Sequence, residues 1–323
     1  MVKPNLASLL DYYYESMYPE LQALEEKRLS IIASLKKTAF ILLCISLILF
    51  VVLNQSAMLK PLHAALVSGM SAFLIFMFVY RHESGGYALL FKDHVIEKII
   101  HFLDASLVYS KMSSINDYEY QRSELFLESY DRFMGNDLVT GKIEGVDVRF
   151  CDLHVEKKVR DKNNKEEWHD IFQGLFFIAD FNKTFHSKVV VLPDIAERTL
   201  GMLGSWMQGM NLQRGQLIKL DHPEFEKLFV TYGDDQIESR YILSHSLMET
   251  IVQFRKKVGK PLYLSFVDSK LYIAIHYTKP LFEPILSRSL LEFTSIKDYF
   301  ELLSMILGIV NEFKLNEKLW SKQ

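Results

Sequence analysis

Two stretches of the chain are long, uncharged and largely apolar. From Thr38 to Leu59 and from Pro61 to Tyr80 there is no charged residue, and Lys60 alone stands between them. Neither carries the polar stripe expected of a helix in a water-soluble core. Each is close to the ~20 residues that cross ~30 Å of hydrocarbon. A central Leu, Ile, Phe or Val favours insertion by roughly 0.3–0.6 kcal/mol. The first stretch is rich in them and inserts alone; the second, diluted by Ala, Ser and Gly, inserts beside it. The pattern predicts a transmembrane hairpin over 38–80, with spans at 38–59 and 61–80. A removable signal sequence does not fit, because the apolar run starts well inside the chain and a second follows with no cleavage site between.

The flanks orient the hairpin. Lys27, Arg28, Lys36 and Lys37 precede the first span, Arg81 and Lys92 follow the second, and the connecting loop holds only Lys60. The excess of positive charge places both termini in the cytoplasm. Small residues four apart in the second span, Ala64, Ser68 and Ala72 with Ala65 and Gly69 beside them, allow close helix approach, chiefly within the hairpin. The Ala65/Gly69 face also offers a surface for homo-oligomers. Residues 1–37 read as an amphipathic helical segment, with Leu21, Leu24, Ile31 and Leu35 at helical spacing. Residues 81–115 read as a linker or stalk helix, hinged at Gly85-Gly86 and striped by Leu90, Val95, Ile99, Phe102, Leu103 and Leu107.

Beyond lies an α+β domain, 116–323, with a largely antiparallel sheet, divisible into a β-rich 116–194 and a mixed 195–323. A helix is expected over Asn116–Tyr130, then strands at Val139–Ile143, Val146–Leu153, Phe172–Phe181 and Lys188–Leu192. Gly135-Asn136-Asp137, Glu144-Gly145 and Phe181-Asn182-Lys183 read as turns. The charged stretch Glu156–Glu167 reads as a solvated hairpin tip. His222-Pro223-Glu224 starts a helix, Ser244 caps another that stops before Gly259, and Leu262–Val267 with Lys270–His276 form a hairpin around Asp268-Ser269. A last helix spans Ser295–Phe313.

Charge and cysteine usage narrow the function classes. The net charge of −3 and the absence of a long basic stripe exclude a general nucleic-acid binder. Cys44 and Cys151 fall in different segments, against pairing, and agree with a reducing compartment. No phosphate-cradling loop, His-Glu-x-x-His, Cys-x-x-Cys or Gly-x-Ser-x-Gly occurs, so no catalytic residue, metal or cofactor is assigned and the reading leans away from an enzyme. His154 and Glu156 share a strand face but lack an evident third ligand, and His169-Asp170 reads as solvated. The one candidate binding segment is Asp235, Glu238 and Arg240: carboxylates for acid–base work or cation binding, and a guanidinium for an anion. A structural account competes, in which Asp235 caps a helix, Glu238 closes a capping box and Arg240 pairs with a nearby acid.

Several motifs carry a resemblance. Phe91–Ile96, Leu107–Tyr109, Asn136–Gly141 and Phe172–Lys183, then most strongly Phe225–Phe229, Asp235–Leu243 and Phe282–Pro284, with the ending Leu315-Asn316…Leu319-Trp320, resemble the bacterial "domain of unknown function 3137" family of two-span membrane proteins. Two positions depart from it: His222 stands where Asp usually caps the helix, and Ser239 where Ala is usual. The resemblance implies architecture and bacterial origin, and no activity. The function expected is a cytoplasmic binding or scaffold module, anchored as a multi-pass protein in the bacterial inner membrane and serving an unknown protein partner. The alternatives are a membrane-tethered, hydrolase-like enzyme using the Asp235–Arg240 segment and a lipid-interacting β domain.

Overall fold

The computed structural model describes residues 6–55, 60–160, 164–181, 184–194 and 214–315. The chain divides into two compact units. The first is residues 1–103 with 283–301; the second is 104–282 with 302–323.

The first unit is helical. A short helix α1, Leu6–Tyr12, runs through a π turn, Tyr13–Met17, into α2, Tyr18–Gln55. Helix α3, Pro61–Phe91, follows, then a second π turn, Lys92–Ile96, and α4, Glu97–Leu103. Two helices are long and apolar enough to cross a membrane. Helices α2 and α3 pack on each other, and Ala64 and Ser68 are the buried residues of α3 within the span. Ala65 and Gly69 point away, and a Cβ at Gly69 would meet nothing within 4 Å. The close hairpin contact is therefore the Ala64/Ser68 row, not Gly69.

The expected hinge at Gly85-Gly86 is absent, and α3 continues through it. Two glycines cost a helix about 2 kcal/mol in propensity, but Tyr87 and Phe91 are buried just beyond and hold the helix in register. The irregularity falls instead at Lys92–Ile96, where the extra residue of a π turn shifts the apolar stripe. Both Val95-Ile96 and Ile99-Ile100 are thereby buried. The helix of the 81–115 segment ends at Leu103.

The stripe that runs from the π turn into α2 reads Met17, Leu21, Leu24, Arg28, Ile31, Leu35, all buried. Arg28 is a cation in that apolar seam. Glu25 answers it with bonds of 2.8 and 2.6 Å from the guanidinium Nε and Nη2. The remaining capacity of Glu25 goes to the returning segment, accepting from the Ser289 hydroxyl at 2.8 Å and the Leu290 N–H at 3.0 Å. Lys92, also buried, pairs with Glu283 at 2.7 Å, and Tyr299 donates to the Glu283 carbonyl at 2.7 Å.

The second unit is built on a nine-stranded sheet in the order β1-β2-β3-β4-β9-β8-β5-β7-β6. Its strands are β1 Val108–Ser110, β2 Arg132–Ile143, β3 Val146–Arg160, β4 Glu166–Asp180, β5 Val189–Pro193, β6 Gln216–Leu217, β7 Phe229–Gly233, β8 Leu262–Val267 and β9 Lys270–His276. Every pairing among the described residues is antiparallel. Strands β8 and β9 lie between β4 and β5, so one sheet joins the two expected subdomains. The connecting helices are α5 Asp117–Arg122, α6 Pro223–Leu228, α7 Gln236–Ile242 and α8 His245–Val258. Helix α9, Phe293–Glu312, begins in the first unit and ends in the second.

Both faces of the central strands are buried: Phe172, Phe176 and Ile178 on one, Leu175, Phe177 and Ala179 on the other. The first face packs on an aromatic cluster from the 115–133 segment, with Tyr120 and Phe126 stacked at 5.6 Å. This explains why the helix expected over Asn116–Tyr130 stops at Arg122. Glu124 turns left-handed (φ 54°), which lets Leu125 and Phe126 reach the cluster. Gly135-Asn136-Asp137 is a bulge inside a longer strand, not a turn. Gly174 admits no side chain, since a Cβ there would lie 2.2 Å from the Ile275 carbonyl oxygen of β9. The tip residues 161–163, the turn residues 182–183, the loop residues 56–59 and the ending from Asn316 lie outside the described residues.

The Glu25–Arg28 pair is expected to make the first unit acid-sensitive. The Arg28 guanidinium, helped by the Leu290 amide and Ser289 hydroxyl, holds the Glu25 carboxyl down from 4.5 to about 2. A carboxylate depressed on folding stabilises fully above its unfolded value and loses that contribution as pH falls through its folded one. Glu25→Gln, which leaves a buried cation unmatched, is expected to cost about 3–5 kcal/mol near neutral pH. In thermal unfolding of detergent-solubilised protein, the gap from wild type should shrink as pH falls from ~4.5 toward ~2. A gap independent of pH would show that the carboxylate charge does not hold this segment.

Candidate functional site

Helix α7 carries the residues singled out from sequence. It follows β7 directly, and the Asp235 side chain caps it, accepting from the Glu238 N–H at 2.7 Å. Glu238 does not turn back to complete a capping box. It reaches across to the strand entry before β5, where its carboxylate accepts the N–H groups of His186 at 2.9 Å and Ser187 at 2.8 Å and the Ser187 hydroxyl. Those bonds, the Ser187 hydroxyl first, lower its pKa below the ordinary carboxylate value. Arg240 points elsewhere, donating to the Lys219 carbonyl at 3.1 Å and standing 3.7 Å from Asp221. The three residues serve three different segments and do not converge on one point.

What Glu238 braces is the wall of a cleft. An open cavity of about 570 Å³ lies between α5, the 186–188 segment, Asp234 and the β8–β9 turn. Its charges are largely matched: Arg122 pairs with Asp268 at 2.7 Å and Lys188 with Glu124 at 2.6 Å. The Asp234 carboxylate takes no hydrogen bond among the described residues. The cleft is open and mostly polar, unlike the enclosed apolar pockets that bury small ligands. Arg122, Ser187, Lys188 and Asp268 were not among the candidates the sequence offered. These come from three separate segments, the end of α5, the entry to β5 and the β8–β9 turn, that only the sheet order brings together.

The other polar positions resolve more simply. His222 caps α6 in place of an Asp, its Nδ1 accepting from the Phe225 N–H at 3.2 Å while Nε2 lies 3.1 Å from Glu249. Because Nδ1 accepts, the proton sits on Nε2 and is directed at that carboxylate. Ser239 is fully buried and donates its hydroxyl to the Asp235 carbonyl within α7. Asp170 does not stand apart, for it lies 2.6 Å from His154 on the neighbouring strand.

These bonds predict a separable pattern. Asp235→Ala should cost about 1 kcal/mol, the loss of one cap, and Asp235→Asn, which still caps, should be nearly silent. Glu238→Gln should destabilise more than Asp235→Asn, because a neutral amide cannot accept all three donors of the 186–187 segment. Denaturant unfolding and amide exchange at Ser187 measure both. Equal behaviour of Asp235→Asn and Asp235→Ala would refute the capping role.

Residues 170–315 match the family described as "Protein of unknown function (DUF3137)". That range holds the Phe172–Lys183, Phe225–Phe229, Asp235–Leu243 and Phe282–Pro284 motifs, together with β4 from Asp170 onward and the chain that follows it through the end of α9. No curated protein and no solved structure matches the chain.

Proposed function

We propose that the chain is a two-span protein of a bacterial inner membrane, with both termini in the cytoplasm, where the sheet domain serves as a binding or scaffold module for a protein partner. One observation carries the anchoring. Around α2 and α3, large apolar side chains from Phe40, 68% exposed, to Phe78, 75% exposed, face outward in a continuous belt. A belt of that extent is not stable against water. Lys27, Lys36, Lys37 and Arg81 are exposed at one end of it, which supports the orientation.

The binding half rests on an apolar patch on the second unit. Ile237 and Tyr241, one turn apart on α7, are 82% and 42% exposed, and Leu217 of β6 is 54% exposed. Gln236 beside them bonds the Leu217 carbonyl at 3.3 Å, which ties the helix to the short edge strand. The hydrolase reading is weaker. Glu238, the base nearest the Ser187 hydroxyl, also takes two backbone N–H bonds that depress its basicity. A general base works best with a pKa near the working pH.

Topology is tested by cysteine labelling in intact cells. Cys44 is replaced by serine, while Cys151 can stay, since it is buried and burial pushes its thiol up, away from the reactive thiolate. Gln55→Cys should react with an impermeant maleimide and Ala105→Cys should not; the reverse would overturn the orientation.

The binding surface is tested with a photo-crosslinking residue in place of Ile237. A discrete protein adduct that Tyr241→Asp abolishes is expected. Crosslinking no different from that of a probe at exposed Lys142 would sink the proposal.

A further inference from the structure

Strands β3 and β4 hold a second group of ligating side chains, distinct from the cleft and the patch. His154 and Glu156 are two apart in β3 and so share a face. In regular register Glu156 would stand opposite Ile171. Instead Val155 pairs with Phe172 and Glu156 with Asp170, so Ile171 is an extra residue in β4. A bulge of this kind re-aims the side chains beside it. Here it brings Asp170 to the face of His154 and Glu156.

The three side chains converge. His154 Nε2 lies 2.6 Å from Asp170 Oδ1 and 3.9 Å from Glu156 Oε1, and one ligand atom from each fits within 4.8 Å of the others. The Glu156 side chain is only 10% exposed. Its Oε2 accepts from Arg132 Nη1 at 2.9 Å, while its Oε1 takes no hydrogen bond among the described residues and is turned toward the imidazole. Arg132 is itself fixed, with its guanidinium 3.9 Å from the Trp168 ring centre. It orients the carboxylate from behind, as outer partners of metal ligands do. Lys158, next along the face, is taken up by Glu166. Two carboxylates against one guanidinium leave the site net negative.

We propose that His154, Glu156 and Asp170 bind a divalent transition-metal ion, with zinc the best fit. One imidazole nitrogen and two carboxylate oxygens suit zinc better than magnesium or calcium, which favour all-oxygen shells. Bonds of about 2.0–2.2 Å in tetrahedral geometry set ligand atoms about 3.4 Å apart. The two distances here, 2.6 and 3.9 Å, bracket that value. Small side-chain rotations reconcile them. His154 and Asp170 are 32% and 52% exposed, so an ion enters from solvent and keeps a position open to water. The ion would clamp β3 to β4 at the point where β2 ceases to pair and the two strands continue alone.

The test uses the full-length protein in detergent, stripped with a chelator and titrated calorimetrically with zinc chloride and, separately, magnesium chloride. Saturable binding of zinc at one ion per chain, with none of magnesium, is expected. His154→Ala and Asp170→Asn should each weaken zinc binding by at least about tenfold. Asp170→Asn keeps the side-chain shape, so it reads ligation rather than folding, and an unchanged melting curve without metal checks this. His169→Ala, which removes a neighbouring exposed histidine, should leave the affinity unchanged. Zinc affinity that survives Asp170→Asn, or that falls equally in His169→Ala, would overturn the site.

Discussion

Arg28 places a charge where the seam of a helix wants an alkyl group. Its neighbours along the stripe are Met17, Leu21, Leu24, Ile31 and Leu35, and it is buried with them. A guanidinium removed from water is tolerable only when its charge and its donors are met together. Glu25 meets the charge and two of the donors from the same helix, the Leu286 carbonyl accepts from Nη1 at 2.5 Å, and the remaining lone pairs of Glu25 then demand donors. Ser289 and Leu290 supply these. The pair thus specifies not a helix, which propensity and packing already secure, but which segment returns to it. The chain leaves the second unit after Phe282 and re-enters it at Leu302, and the excursion between is held by this carboxylate. Aromatic contacts of Tyr13 with Phe293 and of Phe91 with Tyr299 add area without adding such specificity.

The sheet obeys a different constraint. With both faces of its central strands buried, a one-residue slip would move an entire row of side chains to the wrong side, so register is strongly set. Gly174 shows how tightly: the Ile275 carbonyl occupies the space where its Cβ would be. Departures from register then stand out. One, in β2, turns Asp137 inward to meet the Tyr109 hydroxyl. The other, in β4, inserts Ile171 and brings Asp170 beside His154. Each irregularity sits next to a buried or half-buried acid, which is where a sheet exchanges regular pairing for the placement of a polar group.

Much of this could be read from the residues. Long uncharged apolar runs have few interpretations, and those beginning at Thr38 and Pro61 fall in two helices long and apolar enough to cross a membrane. The caps at Ser244 and Asp235 and the hairpin at Asp268-Ser269 follow from local chemistry and stand where that chemistry puts them. Local rules failed where a distant partner decided. Gly85-Gly86 looks like a hinge until Tyr87 and Phe91 are seen to be buried beyond it. Asn116–Tyr130 has helical composition, but its aromatics are needed in a cluster that a helix could not fill. Gly135-Asn136-Asp137 has turn composition and is a bulge, because β3 continues past it. The third ligand beside His154 and Glu156 was hidden for the same reason, since its approach depends on a register shift that no single strand encodes.

The acids of the α7 region therefore look catalytic in sequence and act as braces in space. Asp235 satisfies a helix end, Glu238 gathers the donors of the 186–187 segment, and Arg122 and Asp268 neutralise each other across the cleft. A carboxylate that accepts several N–H groups is stabilised as the anion, and that stabilisation makes it a poorer base. The same bonds make the cleft wall rigid. Rigidity with matched charge is a disadvantage for proton transfer and an advantage for recognition, because a preformed surface loses little conformational entropy when a partner docks. The exposed Ile237 and Tyr241 ride on the helix that Asp235 caps and Glu238 anchors. Polar residues that invite a catalytic reading thus fix the position of the apolar ones.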